Sequence, residues 1–518
     1  MSDVTTIEAD VPERYADAVQ TRLRRAADED VVGRIWRKDG TLWAPEGTPE
    51  VTNRLGWLDI AERSKEQLAE YEELRDELFR EGYTDAIVLG MGGSSLAPEV
   101  FRLSFGQADA GLTLHVLDST HPEEVQKYLD KLDLSKTVAI VSSKSGGTIE
   151  PMSMYKAFSA HVDGTHFVAV TDPGTSLETL ANQQGFRRTF YGDPDIGGRY
   201  SALSAFGLVP AVVAGYDVAA VLEGAIGAQE ECQSESGGNG GLWHGVALGE
   251  LAKAGRDKLT FVADDPLSSY GVWAEQLVAE STGKHGRGIL PIADEPLLGP
   301  DSYGDDRVFL HVARGDGPNA AALRQLKDAG HPVITIRALG PADLGRIFYL
   351  SEFAVAVAGW VLEINPFDQP NVQEAKDNTN RVLKEGSSGL QAGSLGELTE
   401  GLEPPAYFAI MGYLPYSSET EAAVARLRQK LIAEHHVATT WGYGPRFLHS
   451  TGQFHKGGPK TGRFLQIIDE PQQDLEIPGE QFTFGTLIRA QADGDLETLR
   501  NHGLPAVRID VKDLKEQL

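Results

Sequence analysis

Short apolar runs alternate with amphipathic stretches through most of this chain. Residues 86–89, 112–117, 137–141 and 167–170 are compact β-rich runs, each stopped by glycine, proline or a polar cluster. Helical spacing fills the intervals at 150–161 and 176–184. The pattern recurs with strands at 259–262, 308–312 and 333–336 and helices at 268–280, 319–329 and 342–362. Continuous apolar strands separated by helices predict parallel sheets covered on both faces. The chain therefore reads as two doubly wound α/β units joined through a helix-rich stretch near 202–256, with the glycine run at 237–241 as its most flexible point.

The flanks are less regular. An amphipathic stretch at 15–27 predicts a helix, and the spacing of Leu58, Ile60, Leu68, Tyr71, Leu74 and Leu78 predicts more helix at 55–80. The first fifty residues say nothing about chemistry. Beyond 395, strands are predicted at 408–411 and 464–468 and a helix at 418–432. Residues 441–458, rich in glycine, aromatic and basic side chains, read as an ordered loop.

Length and composition narrow the class. A chain of 518 residues exceeds one hydrophobic core, so two or three domains are expected. No apolar run reads as long enough to span a bilayer, and the first residues have neither the basic nor the apolar part of a secretory signal. The single cysteine, Cys232, excludes an internal disulfide framework and fits a reducing cytoplasm. No Cys/His spacing suggests zinc. A net charge of −29 argues against nucleic acid and anionic membrane as partners. A phosphorylated ligand would have to be held by local donors against that field.

Six segments offer candidate chemistry. Gly90-Met91-Gly92-Gly93-Ser94-Ser95 follows a strand and opens a helix; it reads equally as a tight turn or as an anion cradle built on Gly92, Gly93 and Ser94. Ser142-Ser143-Lys144-Ser145-Gly146-Gly147-Thr148 occupies the same topological place. Ser143, Ser145 and Thr148 are hydroxyl donors suited to a phosphate, and Thr148 is also a helix cap. Arg199, in Gly197-Gly198-Arg199-Tyr200-Ser201, is a candidate for holding a developing oxyanion. Glu280, near the end of a helix, is the candidate base, with Gln276 on the same helix face. Pro366 and Pro370 bracket a turn that would aim Gln369 and Lys376 at a ligand. Arg446, His449, His455 and Lys456 form a cluster that reads equally as a packed loop or as one wall of a site.

Together these strings resemble the phosphoglucose isomerase family, which is built from two sugar-isomerase (SIS) α/β domains. The resemblance covers about 50–380 and rests most on 197–208, 276–284 and 365–376. From about 395 onward the chain is similar to the C-terminal region of bacterial transaldolase/glucose-6-phosphate isomerase fusions, and it reads as the isomerase half alone. The implied organisation is a helical leader at 1–50, a first SIS domain at 51–235, a second at 236–394 and a C-terminal α/β extension at 395–518.

The resemblance implies interconversion of glucose 6-phosphate and fructose 6-phosphate through a cis-enediolate, with no metal or organic cofactor, in cytoplasmic glycolysis and gluconeogenesis. Glu280 would be the base and Arg199 the enediolate-stabilising group. Ser94, Ser143, Ser145 and Thr148 would match the substrate and phosphate loops. Gln276, Gln369 and Lys376 would be substrate contacts, with Lys376 assisting at the ring oxygen. Family members carry a Gly-Gln-His string for ring opening; the corresponding stretch here, 298–306, has no histidine. Lys376, His285, His449 and His455 are the substitutes, and the clustering favours His449 or His455. The expected state is a monomer or a homodimer. Two competing readings are an isomerase that also accepts mannose 6-phosphate, and a non-enzymatic SIS sensor of sugar phosphates.

Overall fold

The computed structural model describes residues 7–235, 238–386 and 393–517. Gly237, within the glycine run read as a flexible point, lies outside the described residues. Strand β1 (Ile7–Asp10) opens the described chain. The first unit contributes β2 (Asp85–Leu89), β3 (Thr113–Leu117), β4 (Thr137–Ser142), β5 (Phe167–Thr171) and β6 (Arg188–Tyr191). The second contributes β7 (Lys258–Ala263), β8 (Leu290–Ile292), β9 (Arg307–Ala313) and β10 (Val333–Arg337). The C-terminal part adds β11 (Tyr407–Tyr413), β12 (Ala438–Tyr443), β13 (Gly462–Ile468) and β14 (Ala506–Asp510).

These strands form three sheets. The first has the order β3-β2-β4-β5-β6 and the third β12-β11-β13-β14, both wholly parallel. The second, β1-β10-β9-β7-β8, is parallel except for β1, which runs antiparallel beside β10. In each sheet the unit's first strand lies inside, its second lies to one side, and its third and fourth follow on the other. Chain connections thus leave in opposite directions at one point of each sheet, and in doubly wound folds ligands gather at the carboxyl ends of the strands flanking that point.

The α/β architecture follows the sequence pattern closely where strands are continuous and apolar. β4 and β5 are buried at every position, and the Ser176–Gln184 helix has the bounds its pattern predicts. Three features differ. The leader is not wholly helical: after β1 it carries the Glu13–Asp28 helix, and β1 extends the second sheet. Residues 441–458 are not a loop but the end of β12, a tight turn at Arg446–His449 and a short helix at Gly452–Gly457. The Leu344–Leu362 helix lies in a segment, Pro341–Leu362, long and apolar enough to cross a membrane, contrary to expectation. An 18-residue stretch of that segment is 94% buried inside the protein, and its helix runs through the core.

One continuous apolar core joins the first two units around that helix, through residues such as Trp57, Phe101, Tyr200, Trp273 and Phe353. The C-terminal sheet has its own layers, with Phe454, Ile488 and Leu496 on one face and Val424, Leu427 and Leu431 on the other. It docks on the second unit through the buried Glu295–Arg307 pair, where Glu295 also accepts from the Thr439 amide and hydroxyl. It docks on the first unit through Tyr416, whose hydroxyl donates to Asp118, and through His121, which meets Asp469 at 3.1 Å. The 298–306 stretch faces this docked part, with the Gly304 amide donating to the His436 carbonyl.

Candidate active site

The carboxyl ends of β2 and β4 flank the point where connections diverge in the first sheet. The loops that leave them line a cleft of about 540 Å³. Met91–Ser94 form one lip. Gly92 turns with φ +55°, which favours glycine. Gly93 permits contact with the Arg199 loop: a Cβ there would meet the Gly198 carbonyl oxygen at 2.0 Å. Ser145 and Thr148 form the other lip. Thr148 occupies the cap position of the Ile149–Ser159 helix, but its side chain does not cap it. Its hydroxyl instead accepts from Ser143 Oγ at 3.1 Å. The first-turn amides of the helix are therefore not taken up by the cap side chain, an arrangement suited to an anion. Ser143 itself is buried and orients Thr148, and it is not among the residues lining the cleft.

Arg199 ties three motifs together. It is 1% exposed. Its Nε donates to Ser281 Oγ at 2.8 Å, Nη1 to Gln369 Oε1 at 2.8 Å and to Glu280 Oε2 at 3.3 Å, and Nη2 to the carbonyls of Pro366 and Asp368 at 2.7 and 3.1 Å. A planar guanidinium with five donors is the side chain able to do this. Lys284 braces the same turn: it donates to the Asn365 carbonyl at 2.8 Å and to Asp368 Oδ1 at 2.7 Å. Burial, reinforced by Arg199, pulls the Lys284 amine down to about 7 against the pull of Asp368.

Glu280 stands near the end of the Tyr270–Thr282 helix and lines the same cleft as these loops. Burial pushes its carboxyl above the ordinary glutamate value, and Arg199 beside it works in the opposite direction. Gln276, one turn earlier, approaches Glu280 Oε1 at 3.5 Å, while its own buried Oε1 has no protein partner.

The C-terminal part supplies the remaining wall. His449, in the tight turn after β12, reaches the cleft beside Gly92 and Gln276. Its Nε2 lies 3.0 Å from Glu150 Oε1, and because an ionised carboxylate only accepts, the ring nitrogen is the donor. Burial pushes the Glu150 carboxyl up, but His449, with Lys376 adding to it, leaves that carboxyl below the ordinary value. Gln491 Nε2 also donates to Glu150 Oε1, at 2.8 Å, and Gln491 Oε1 accepts from the Thr120 hydroxyl at 2.6 Å. Lys376 is exposed and lines the same cleft as His449 and Thr148.

The structure thus brings Gly92, Gly93, Ser94, Ser145, Thr148, Arg199, Gln276, Glu280, Gln369, Lys376 and His449 to one cleft. It does not bring His455 there. That imidazole is 4% exposed, packed against Tyr407, Phe447 and Phe464. Neither of its nitrogens has a hydrogen-bond partner, and burial pushes it down to about 3. Its candidacy for ring opening is corrected on that ground. His285 occupies an exposed turn and is not among the lining residues.

Sequence reasoning misses several lining groups. Asn53 and Arg54 come from the region next to the supposedly silent leader, and Glu50 Oε2 accepts from Gln369 Nε2 at 3.3 Å. Lys144 stands out in the sequence only as part of its loop; it lines the cleft and is held by Asp172 and by the Asp193 carbonyl. Glu150 reads in the sequence as no more than a helix-start acid. None of these carries a local pattern, because each matters through a partner far away in the chain.

Fold and cleft together define a doubly wound α/β protein with a buried carboxylate and hydroxyl-rich loops in one cleft. The sequence profile of the phosphoglucose isomerase family matches residues 77–284. The chain is 30% identical over 385 residues to the glucose-6-phosphate isomerase of Acholeplasma laidlawii, covering 64% of this chain and 90% of that one. It is also 30% identical over 397 residues to the enzyme of the same name from Staphylococcus saprophyticus, covering 65% and 88%. Among solved structures, a hypothetical protein of Thermus thermophilus shares 26% identity at a TM-score of 0.58, covering 73% of this chain and 99% of that one. A glucose-6-phosphate isomerase from Chlamydia trachomatis shares the fold, with a TM-score of 0.60 at 17% identity, covering 74% and 89%. The chain belongs to the phosphoglucose isomerase family. The reading as a non-enzymatic sensor is not favoured.

Proposed function

We propose that this cleft interconverts glucose 6-phosphate and fructose 6-phosphate by proton transfer through a cis-enediolate. The observation that carries the reading is the Glu280–Arg199 pair: a buried carboxylate of raised proton affinity, 3.3 Å from a buried guanidinium, in a cleft also lined by two hydroxyl-bearing loops.

Ser94, Ser145, Thr148 and the amides of the Ile149–Ser159 helix hold the phosphate, with Ser143 positioning Thr148. Lys144 and Arg54 add positive charge near it. His449, its Nε2–H donated to Glu150, has Nδ1 left to exchange the proton of the ring hydroxyl, and Lys376 serves the ring oxygen as C1–O5 opens. Glu280 removes the C2 proton of the open aldose. The electron pair becomes the C1=C2 double bond, and the carbonyl oxygen at C1 takes on charge opposite Arg199. Glu280 then returns its proton to C1, while the C2 hydroxyl passes its own proton to the C1 oxygen and becomes the carbonyl. The carboxylate is regenerated, so atoms and electrons balance without an outside reagent. Gln276 and Gln369 hold the sugar hydroxyls.

One chain carries each group this sequence of steps calls on, which fits a monomer as well as a homodimer. Its place is cytoplasmic glycolysis and gluconeogenesis. The test is turnover of fructose 6-phosphate to glucose 6-phosphate through a coupled dehydrogenase, with EDTA present. Activity in the parent that falls by roughly 10³-fold in Glu280→Gln supports the reading; a parent that binds the sugar phosphate without turning it over sinks it.

A further inference from the structure

The three sheets share one winding, so each has one crevice at the carboxyl ends of its first and third strands. In the first sheet that crevice, between β2 and β4, is the cleft already described. In the second, between β7 and β9, it is closed by the protein itself. Asp264, just past β7, accepts from the Arg314 amide at 3.0 Å and from Asn319 Nδ2 at 2.9 Å, and meets His311 at 3.2 Å. Gly317 packs so tightly on it that a Cβ would meet Asp264 Oδ2 at 2.2 Å. In the C-terminal sheet the equivalent crevice, between β11 and β13, is open. Tyr413 ends β11, Ile468 ends β13, and both line a cavity of about 400 Å³ that shares no lining residue with the catalytic cleft.

We propose that this cavity is a second binding site, separate from the catalytic one, and that its ligand is a small organic cation with an aliphatic stem.

The chemistry of the walls decides the class. Four carboxylates line the cavity, from Asp469, Glu470, Asp474 and Asp493, against one guanidinium, Arg489, which is paired with Glu470. Asp474 already serves the start of the Phe484–Asn501 helix: it accepts from the Gly485 amide at 2.7 Å and from the Thr483 hydroxyl at 2.6 Å. An anion therefore finds the helix end taken and the surrounding charge repulsive. Asp493 is the buried carboxylate of the four. It is 2% exposed, its Oδ1 accepts from Arg508 at 2.5 Å, and its buried Oδ2 has no hydrogen-bond partner. A buried carboxylate oxygen without a partner carries an uncompensated desolvation cost, which an ammonium donor would relieve. Val382, Ile468 and Ile488 also line the cavity and suit a methylene stem. The net charge of −29 raises the local concentration of such cations.

The test is calorimetric titration of the full chain with putrescine at low and moderate salt, with 1,4-butanediol as the uncharged match in size. One saturable site for putrescine and none for the diol are expected. Asp493→Asn should weaken binding at least about tenfold. Since that change also removes an Arg508 partner, Thr486→Trp is run beside it. Thr486 is exposed at the rim, and a bulky ring there blocks the mouth without touching the Asp493–Arg508 pair. Loss of binding in Thr486→Trp with turnover intact supports the site. No saturable putrescine binding, equal binding of the diol, or parental affinity in Thr486→Trp overturns it, the last because the amine would then be associating with the acidic surface at large.

Discussion

His449 and His455 stand on either side of one short turn, yet their surroundings are opposite. His449 lines the cleft, faces a carboxylate that is itself held by an amide, and sits beside a lysine. His455 is walled in by aromatic rings with no polar partner. The same contrast holds between two larger regions. The cleft floor is a dense lattice in which Arg199 alone bonds side chains or carbonyls from two motifs besides its own. The wall from the C-terminal part is a turn held at the cleft by the His449–Glu150 dyad. Function therefore tracks what a residue is tied to, and the order of damage from substitution should follow it.

The floor should suffer most. Arg199→Lys keeps a charge but cannot bond Ser281, Gln369 and Pro366 together. Steady-state kinetics should show kcat/KM lower by about 10²–10³-fold, the scale for losing preorganised electrostatic stabilisation of a developing oxyanion. A loss below threefold would mean that the lattice is only scaffolding.

The wall comes next. His449→Gln should cost about 10²-fold in turnover of the closed-ring sugar, while His455→Phe should leave kcat within twofold. Equal effects of the two, in either direction, would erase the contrast between them.

The pH profile sharpens it further. The proposed base, Glu280, would act as a carboxylate, and burial raises its pKa in the free protein. As pH falls, it takes up its proton before an ordinary glutamate does. The acid limb of kcat/KM should thus lie above pH 4.5, the value of an unperturbed glutamate, and should vanish in Glu280→Gln. A limb at or below that value would show the carboxyl to be unperturbed by its site.

The smallest effect concerns stability. The folded-state pKa of His455 is about 3 against 6.5 for the free side chain. Between those values the unfolded state binds more protons. Stability is full above pH 6.5 and is lost as pH falls through that window. His455→Phe removes this term and fits an aromatic pocket, so denaturant melts at pH 5 should favour the variant by roughly 2 kcal/mol relative to the difference at pH 7.5.

Much of this is legible in the residues. Strands such as 137–141 are continuous apolar runs between breakers, and burial on both faces is what such runs mean. The Ser/Gly loops and the strings around Arg199, Glu280 and Gln369 are local, so their chemistry can be read in place. What escapes detection depends on distant partners. Trp441-Gly442-Tyr443 reads as the start of a loop, yet it pairs along β11 as the end of β12. Glu150 gains its meaning only from His449 and Gln491, and Arg54 only from the loops it faces. Two histidines in one string cannot be told apart without knowing which one the aromatic core encloses.

The central claim is that Glu280 moves a proton between adjacent sugar carbons. The most direct measurement is incorporation of solvent deuterium at C2 of glucose 6-phosphate, followed by NMR in D₂O for the parent and for Glu280→Gln. The account predicts exchange in the parent and none above background in the variant, with both folded alike by circular dichroism. Exchange in Glu280→Gln at the parental rate would contradict it and place the base elsewhere in the cleft.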